Sequence, residues 1–216
     1  PAGASDLDYA YALFNLGNLH REQGRMTEAR DCFEAALAIA REVTDRRIEG
    51  GVLVSLGLLH REQSRMDEAR DHFDAALAIA RAMGDRREEG IVLGSLGLLH
   101  SEQGLGEQAL RDLDAALAIA REVGDRGLEG VVLANLGDLQ SEQGRREVAR
   151  EHLEAALAIQ REVGNRRLEG IALGNLGSIH SEQGRKGVAQ EHYAAALAIA
   201  RELRNRRHQG FVILYL

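Results

Sequence analysis

Tryptophan is absent from this chain, and proline and cysteine occur once each, as Pro1 and Cys32. With the one proline at the terminus, no pyrrolidine ring interrupts a helix anywhere along the sequence. A lone cysteine excludes an internal disulfide and fits a reducing, cytoplasmic setting. Aromatic residues make up only 4% of the 216 positions, so any core must be assembled from Ala, Leu, Ile and Val. Lysine is nearly missing too, since Lys186 stands alone among 27 basic residues. The formal net charge is −7. That balance argues against nucleic acid, which calls for a basic face, and against an anionic membrane surface. No apolar run reaches membrane-spanning length. No signal peptide is visible, but the chain opens on Pro1 rather than Met, so targeting is only weakly constrained.

What remains is rich in Ala, Leu, Glu, Arg and Gln, the strong helix formers, which makes an all-α protein the first expectation. The tract Leu16-Gly17-Asn18-Leu19-His20-Arg21-Glu22-Gln23 returns from Leu56, Leu96, Leu136 and Leu176. The tract Ala35-Ala36-Leu37-Ala38-Ile39 returns from Ala75, Ala115, Ala155 and Ala195. Every copy is displaced by 40 residues without insertion or deletion. One domain over 1–216 is expected, with units near 5–44, 45–84, 85–124, 125–164 and 165–204 and a partial sixth over 205–216.

Each unit has two stretches of helical periodicity. Leu53, Leu56 and Leu59 make one apolar stripe, and Ala69, Phe73, Ala76, Leu77 and Ala80 make the other. Gly24, Gly104, Gly144 and Gly184 fall between them, where a left-handed residue ends a helix. Gly84, Gly124 and Gly164 end the second stretch, and Asp85, Asp125 and Asn165 follow as helix caps. Glu89, Glu129 and Glu169 then lie in the first turn of the next helix, where its dipole favours a negative charge. Gly17, Gly57, Gly97, Gly137 and Gly177 sit inside the first helix, where glycine costs about 1 kcal/mol against alanine. A cost met five times implies close approach of the paired helix, with Ala29, Ala69, Ala109, Ala149 and Ala189 expected to face it.

The spacing of Leu56-Gly57, His60, Ala69, Phe73 and Ala76 resembles the tetratricopeptide repeat over essentially the whole chain. Two departures stand out: a period of 40 instead of 34, expected to lengthen the second helix or its exit, and His in place of an aromatic at position 60. Forty-residue units of this type look like those of Pins/LGN-type cell-polarity adaptors, kinesin light chains and the sensor arms of bacterial signalling ATPases and kinases. The resemblance implies a right-handed α-solenoid of helix-turn-helix hairpins whose first helices line a concave groove. It also implies an extended peptide or a protein as ligand, bound by an adaptor or sensor arm of a larger signalling protein.

Equivalent positions of the first helix can be read as rows across that groove. Asn15, Ser55, Ser95, Asn135 and Asn175 form a row that stays small and polar. A second runs Asn18, Leu58, Leu98, Asp138 and Ser178, a third begins with Arg21 and Arg61, and a fourth is Phe14, Val54, Gly94, Ala134 and Gly174. Units packed roughly 10 Å apart are spanned by two or three extended residues. Asn and Ser at that interval can therefore hydrogen-bond a peptide backbone, since an amide both donates and accepts. The competing reading is that these small polar groups only bond the neighbouring helix. Arg21 and Arg61 either fork an acidic ligand group or stay solvated.

Other constellations carry less. His20, His60, His100 and His180 recur one per unit, too far apart for a metal whose bonds to nitrogen are about 2 Å. They are expected to fill the slot between the two helices, with His72, His152 and His192 outward or between units. Cys32 shares its slot with His72, Asp112, His152 and His192, so that slot is not specific to a thiol. No His-Glu-x-x-His, phosphate loop or nucleophile elbow is present. No enzyme activity and no metal or cofactor is expected. The Arg46-Arg47, Arg86-Arg87, Arg166-Arg167 and Arg206-Arg207 pairs, flanked by acids, read as a solvated rim. Phe211, Val212, Ile213, Leu214, Tyr215 and Leu216 begin a sixth hairpin without its second helix, and an uncapped apolar end of that kind is expected to form homodimers. The alternative to a groove scaffold is a self-assembly module acting through its ends.

Overall fold

A computed structural model describes the backbone of residues 2–203 and the side chains of residues 6–203. Among the described residues there are ten helices and no strand. They form two compact units, the first ending at Asp112 and the second beginning at Leu113. The first holds α1 (Ala2–Glu22), α2 (Met26–Glu42), α3 (Arg46–Glu62), α4 (Met66–Met83), α5 (Arg86–Glu102) and the start of α6 (Gly106–Glu122). The second holds the rest of α6 with α7 (Arg126–Glu142), α8 (Arg146–Glu162), α9 (Arg166–Glu182) and α10 (Lys186–Glu202). The architecture is an all-α solenoid of helical hairpins: α1 pairs with α2, α3 with α4, α7 with α8 and α9 with α10. Phe211–Leu216, expected to self-associate, lie outside the described residues.

The forty-residue period is split evenly. Helices α3 and α4 have 17 and 18 residues, and α7, α8, α9 and α10 have 17 each, so the second helix of these hairpins exceeds the first by one residue at most. Each first helix ends in the same way. Gly24 turns left-handed at φ 75°, and the Arg25 amide reaches back to His20 O at 2.9 Å. That closing bond satisfies a carbonyl the helix would otherwise leave orphaned. Ser64 and Thr44 take the same left-handed turn at φ 60° and 56° without being glycine.

At the exit of the second helix one residue serves two helices. The Asp85 amide donates to Ala80 O at 2.9 Å, closing α4. Its carboxylate accepts from the Glu88 amide at 3.0 Å, capping α5. Asp45, Asp125 and Asn165 repeat both bonds. The caps read from the sequence are therefore also the hinges between hairpins.

The helical glycines do mark close approach; Gly137 meets the expected Ala149 at its carbonyl oxygen, 3.2 Å from an added methyl, but the shortest contacts are to a larger side chain. A methyl on Gly57 would lie 2.5 Å from Phe73 Cε1, and one on Gly177 would lie 2.6 Å from Tyr193 Cε1. Gly17 meets Phe33 and Gly137 meets Leu153 in the same way. The large side chain of the second helix lies flat on the glycine backbone. Ala29, Ala69, Ala149 and Ala189 are buried nearby, and it is the rings that occupy the space. Phe33, Phe73 and Tyr193 are at most 1% exposed, and Leu113 and Leu153 hold the same place, both fully buried, so a ring fills this slot in three units and a leucine in two.

The doubled arginines also do more than coat a rim. Glu89 is buried and accepts from Arg81 Nε at 2.9 Å and from Arg86 Nη1 at 2.5 Å. Arg41 and Arg46 hold Glu49 in this way, Arg121 and Arg126 hold Glu129, and Arg161 and Arg166 hold Glu169. The hydrogen bond from Arg81 holds the Glu89 carboxyl below its ordinary range against the opposing effect of burial. At Glu49, Glu129 and Glu169 burial is the largest influence and pushes upward, yet the paired guanidiniums together outweigh it. Each fork ties the last turn of one hairpin to the first turn of the next.

Candidate functional site

The two units present their first-helix faces differently. In the first unit, α1, α3 and α5 border a cavity of about 660 Å³. Tyr11 and Phe14 of α1, Val54 and Ser55 of α3 and Ile91 of α5 line it, with Ile79 and Met83 at the end of α4. The shape follows from the sequence. Position 51 is glycine, and a methyl there would meet only Phe14 Cζ, at 3.7 Å. Phe14 in turn tilts against Phe33, with ring centroids 6.2 Å apart. Arg46, Arg47, Arg87, Asp85 and Glu88 complete the lining from the first turns of α3 and α5. A mostly apolar concavity with a few charged groups at one end is the usual form of a ligand site.

In the second unit, Asp138, Ser141, Asn175, Ser178 and Ile179 border a shallower hollow of about 240 Å³. Asn175 Nδ2 donates to Asp138 Oδ1 at 2.5 Å. Burial pushes the Asp138 carboxyl up to about 6, opposed by that hydrogen bond from Asn175.

The rows read from the sequence are brought together, and several of their members already have partners. Ser55 donates to Asn18 Oδ1 at 3.3 Å, from one hairpin to the previous one. Ser95 turns back onto Ile91 O of its own helix at 3.0 Å. Ser178 bonds Gly174 O at 3.3 Å and accepts from the Tyr193 hydroxyl at 3.1 Å. Arg21 pairs with Glu62 at 2.6 Å and Arg61 with Glu102 at 3.8 Å, so these arginines bridge hairpins. Asn15 is exposed, while Leu58, Leu98 and Asn135 are half-buried.

His60, His100 and His180, expected between the paired helices, each meet the second helix of their hairpin, and so His72 and His192, expected outward or between units, face the first helix of their own hairpin. His60 stacks on His72 with centroids 5.1 Å apart, and His180 on His192 at 5.2 Å. His100 Nδ1 meets Asp112 Oδ2 at 2.7 Å. Every such pair joins residues twelve apart, one near the end of the first helix and one in the second. Among the described residues no group of three or more His, Cys, Asp or Glu is placed to hold a metal ion. No helix there is long and apolar enough to cross a membrane.

Sequence reasoning passed over Tyr11, Gly51, Met83, Glu88 and Ile91. The row of Glu88 reads Asp8, Ile48, Glu88, Leu128, Leu168 and His208, so its place in the repeat did not single it out.

The sequence profile described as tetratricopeptide repeat matches residues 8–82, 49–105, 88–162 and 142–202. The chain belongs to the tetratricopeptide repeat family. No curated protein matches it in sequence. Solved structures share the fold at low identity. BtubC (BKLC) from P. vanneervenii is 20% identical with a TM-score of 0.73, the match covering 94% of this chain and 90% of that one. A Rap protein complexed with Competence and Sporulation Factor is 19% identical with a TM-score of 0.85, covering 93% of this chain and 56% of its own. A signal transduction ATPase with a tetratricopeptide repeat sensor, from Pyrococcus horikoshii, is 20% identical with a TM-score of 0.75. That match covers 96% of this repeat chain and 32% of the ATPase.

Proposed function

We propose that this tetratricopeptide repeat chain is a non-catalytic scaffold that holds an extended peptide, or a peptide-like segment of a partner protein, against its first-helix faces. The observation that carries the reading is the cavity of about 660 Å³ in the first unit, where Phe14, Val54 and Ile91 offer an apolar floor and Ser55 a polar edge. A Rap protein similar in fold was solved with the Phr* peptide, which fits a peptide as the ligand class. The sequence rows enter this reading with unequal parts. Asn15, exposed, and Asn135, half-buried, are offered as peptide-bonding amides. Leu58 and Leu98 supply apolar floor, while Asn18, Arg21 and Arg61 support the wall through their bonds to neighbouring hairpins.

The test is selection of peptides from a displayed library on the full chain, followed by affinity measurement on variants. Gly51→Leu places a side chain into the cavity where space allows and favours the helix. Capture should drop at least about tenfold, about 1.4 kcal/mol, with an unchanged helical spectrum. Full capture by Gly51→Leu removes the first-unit cavity from the reading. The Asn135→Ala/Asn175→Ala double variant asks the same of the second unit.

A second reading, assembly through hairpin faces, is favoured by α1. Leu16 and Leu19 are 42% and 47% exposed, whereas Leu56 and Leu59 in the same places are 2% and 0% exposed. A hairpin of a second copy would cover them as α1 and α2 cover α3. Sedimentation of the Leu16→Glu/Leu19→Glu variant against the parent chain tests it. A parent chain that stays monomeric at high concentration ends that reading.

A further inference from the structure

Asp138 stands in a row that is uncharged in every other unit. Asn18, Leu58, Leu98 and Ser178 hold the same place. Asp138 lines the hollow of about 240 Å³ between its own helix, α7, and the next first helix, α9. Leu153 lines it as well, although it belongs to the second helix α8, so the hollow reaches between α7 and α9 to the helix behind them. Leu153 is fully buried, and the floor there is apolar. The walls are polar, with Ser141 and Glu142 from α7 and Asn175 and Ser178 from α9.

Both charges along this lining, Asp138 and Glu142, are negative, and no arginine, lysine or histidine is among the residues that form it. The first-unit cavity differs, since arginines and carboxylates are mixed there. Among the described residues no ion pair reaches Asp138, and its one hydrogen bond comes from Asn175 to Oδ1. Burial raises its carboxyl most, Glu142 pushes the same way, and no cation draws it back. Three acceptors along the hollow take no hydrogen bond from the described residues: Asp138 Oδ2, Asn175 Oδ1 and the Ser141 hydroxyl. A carboxylate without a cation over an apolar floor is costly, and asparagine, present at position 18, would avoid that cost. Perturbed carboxyls of this kind cluster at binding sites.

We infer that Asp138 is the recognition residue for a lysine side chain of the bound peptide, whose ammonium group enters the second-unit hollow with Asn175 and Ser141 as further acceptors. An ammonium carries three donors on one point charge and suits acceptors spread over three side chains. A guanidinium fork instead matches both oxygens of one carboxylate, and here Asn175 already takes one of them. A peptide extended across the first-helix faces keeps its backbone outside the hollow, so a long flexible stem is what carries a charge into it. A charge-assisted hydrogen bond to Asp138 then gives the peptide a fixed register. This inference rests on the peptide-scaffold reading above, which the first-unit cavity carries, and names the ligand feature that the second unit selects.

The experiment uses the full chain and a displayed library of random dodecapeptides, selected in parallel on the parent, Asp138→Asn and Asp138→Leu forms. Asp138→Asn keeps an acceptor for Asn175 and removes the charge, and Asp138→Leu follows Leu58 and Leu98 in the same place. The expected result is enrichment of lysine at one position by the parent chain and loss of that preference by both variants, which still select peptides. Synthetic parent-selected peptides should then bind the variants about tenfold more weakly, the size of one charged hydrogen bond. Norleucine in place of the selected lysine should weaken binding to the parent by the same factor and leave binding to Asp138→Leu unchanged. N-terminal acetylation of the peptide should change neither. Peptides selected without a lysine, a lysine preference unchanged in the variants, or arginine selected equally overturn the inference and leave the scaffold reading standing. Sensitivity to acetylation with none to norleucine overturns the lysine as carrier of the charge. Selection of no peptide by any form overturns the inference and the scaffold reading together.

Discussion

Asn175 and Asp138 are joined by a 2.5 Å hydrogen bond between consecutive first helices, α9 and α7. Both had been read from the sequence as groups offered to a peptide, and here each is bonded to the other. The bond does not fully offset the desolvation of Asp138, whose carboxyl stands at about 6 because of burial. A carboxyl raised in the folded state binds its proton more tightly there than in the unfolded chain. Ionised Asp138 therefore lowers stability above about pH 6, and the loss fades as pH falls through the native value toward the unfolded one.

The Asp138→Asn variant keeps an oxygen that can accept from Asn175 and removes the charge. It is expected to be more stable than the parent at pH 7.5 by on the order of 2 kcal/mol. The difference should shrink steadily below pH 6 and nearly vanish by about pH 4. Thermal melts of both proteins across this range give the answer. A gain that stays constant with pH would mean that packing, not charge, separates them.

Gly57 and Phe73 make a second test. Substituting alanine for glycine in an exposed helix interior normally adds about 1 kcal/mol. Here the added methyl would lie 2.5 Å from a ring that is fully buried and has no room to swing aside. Gly57→Ala should therefore destabilise the chain by about 1–3 kcal/mol, the range for overpacking. In combination with Phe73→Ala the two losses should fall well short of their sum, because the clash no longer exists. A neutral or stabilising Gly57→Ala would show that the glycine is there for another reason.

The sequence made the hairpins, their caps and their forty-residue period legible because those features depend on local chemistry: apolar spacing, a left-handed turn residue, an Asp or Asn after it. Long-range geometry was less legible. The interior glycines announced close approach, but nothing local said that Phe73 and not Ala69 would lie on Gly57. The Arg-Glu-Arg forks were hidden because Arg81 and Arg86 meet Glu89 from two different helices. Nor could a row of small polar residues tell whether Ser55 would face a ligand or Asn18.

Gln160 is 1% exposed, and its Oε1 and Nε2 have no partner among the described residues. Ala40, Ala80, Ala120 and Ala200 hold the same place in the other hairpins. Leaving buried polar atoms unsatisfied costs about 1–3 kcal/mol, which exceeds the contacts an alanine would forgo where Gly130 already leaves little space. Gln160→Ala is expected to raise the thermal midpoint. A lower midpoint would indicate that the amide is satisfied in solution by a bound water.

The stacked histidine pairs are expected to make the fold sensitive to mild acid. Burial lowers His60, His72, His180 and His192, and for His60 the Arg65 guanidinium and His72 add to it. The unfolded chain then takes up protons from about pH 6.5 downward while the native pairs stay neutral. A base whose native value is depressed contributes stability that is lost as pH falls from the unfolded value through the native one. The forked glutamates are depressed too, but their contribution is lost only below about pH 4.5. Two windows of acid destabilisation follow, and Asp138 acts in the opposite direction within the upper one. In an Asp138→Asn background, the midpoint should begin to fall near pH 6.5 and fall again below about pH 4.5. Adding His60→Phe, His72→Phe, His180→Phe and His192→Phe, which keep an aromatic in each slot, should flatten the upper window and leave the lower one intact. An upper window that persists in that variant would place the titrating groups elsewhere in the chain.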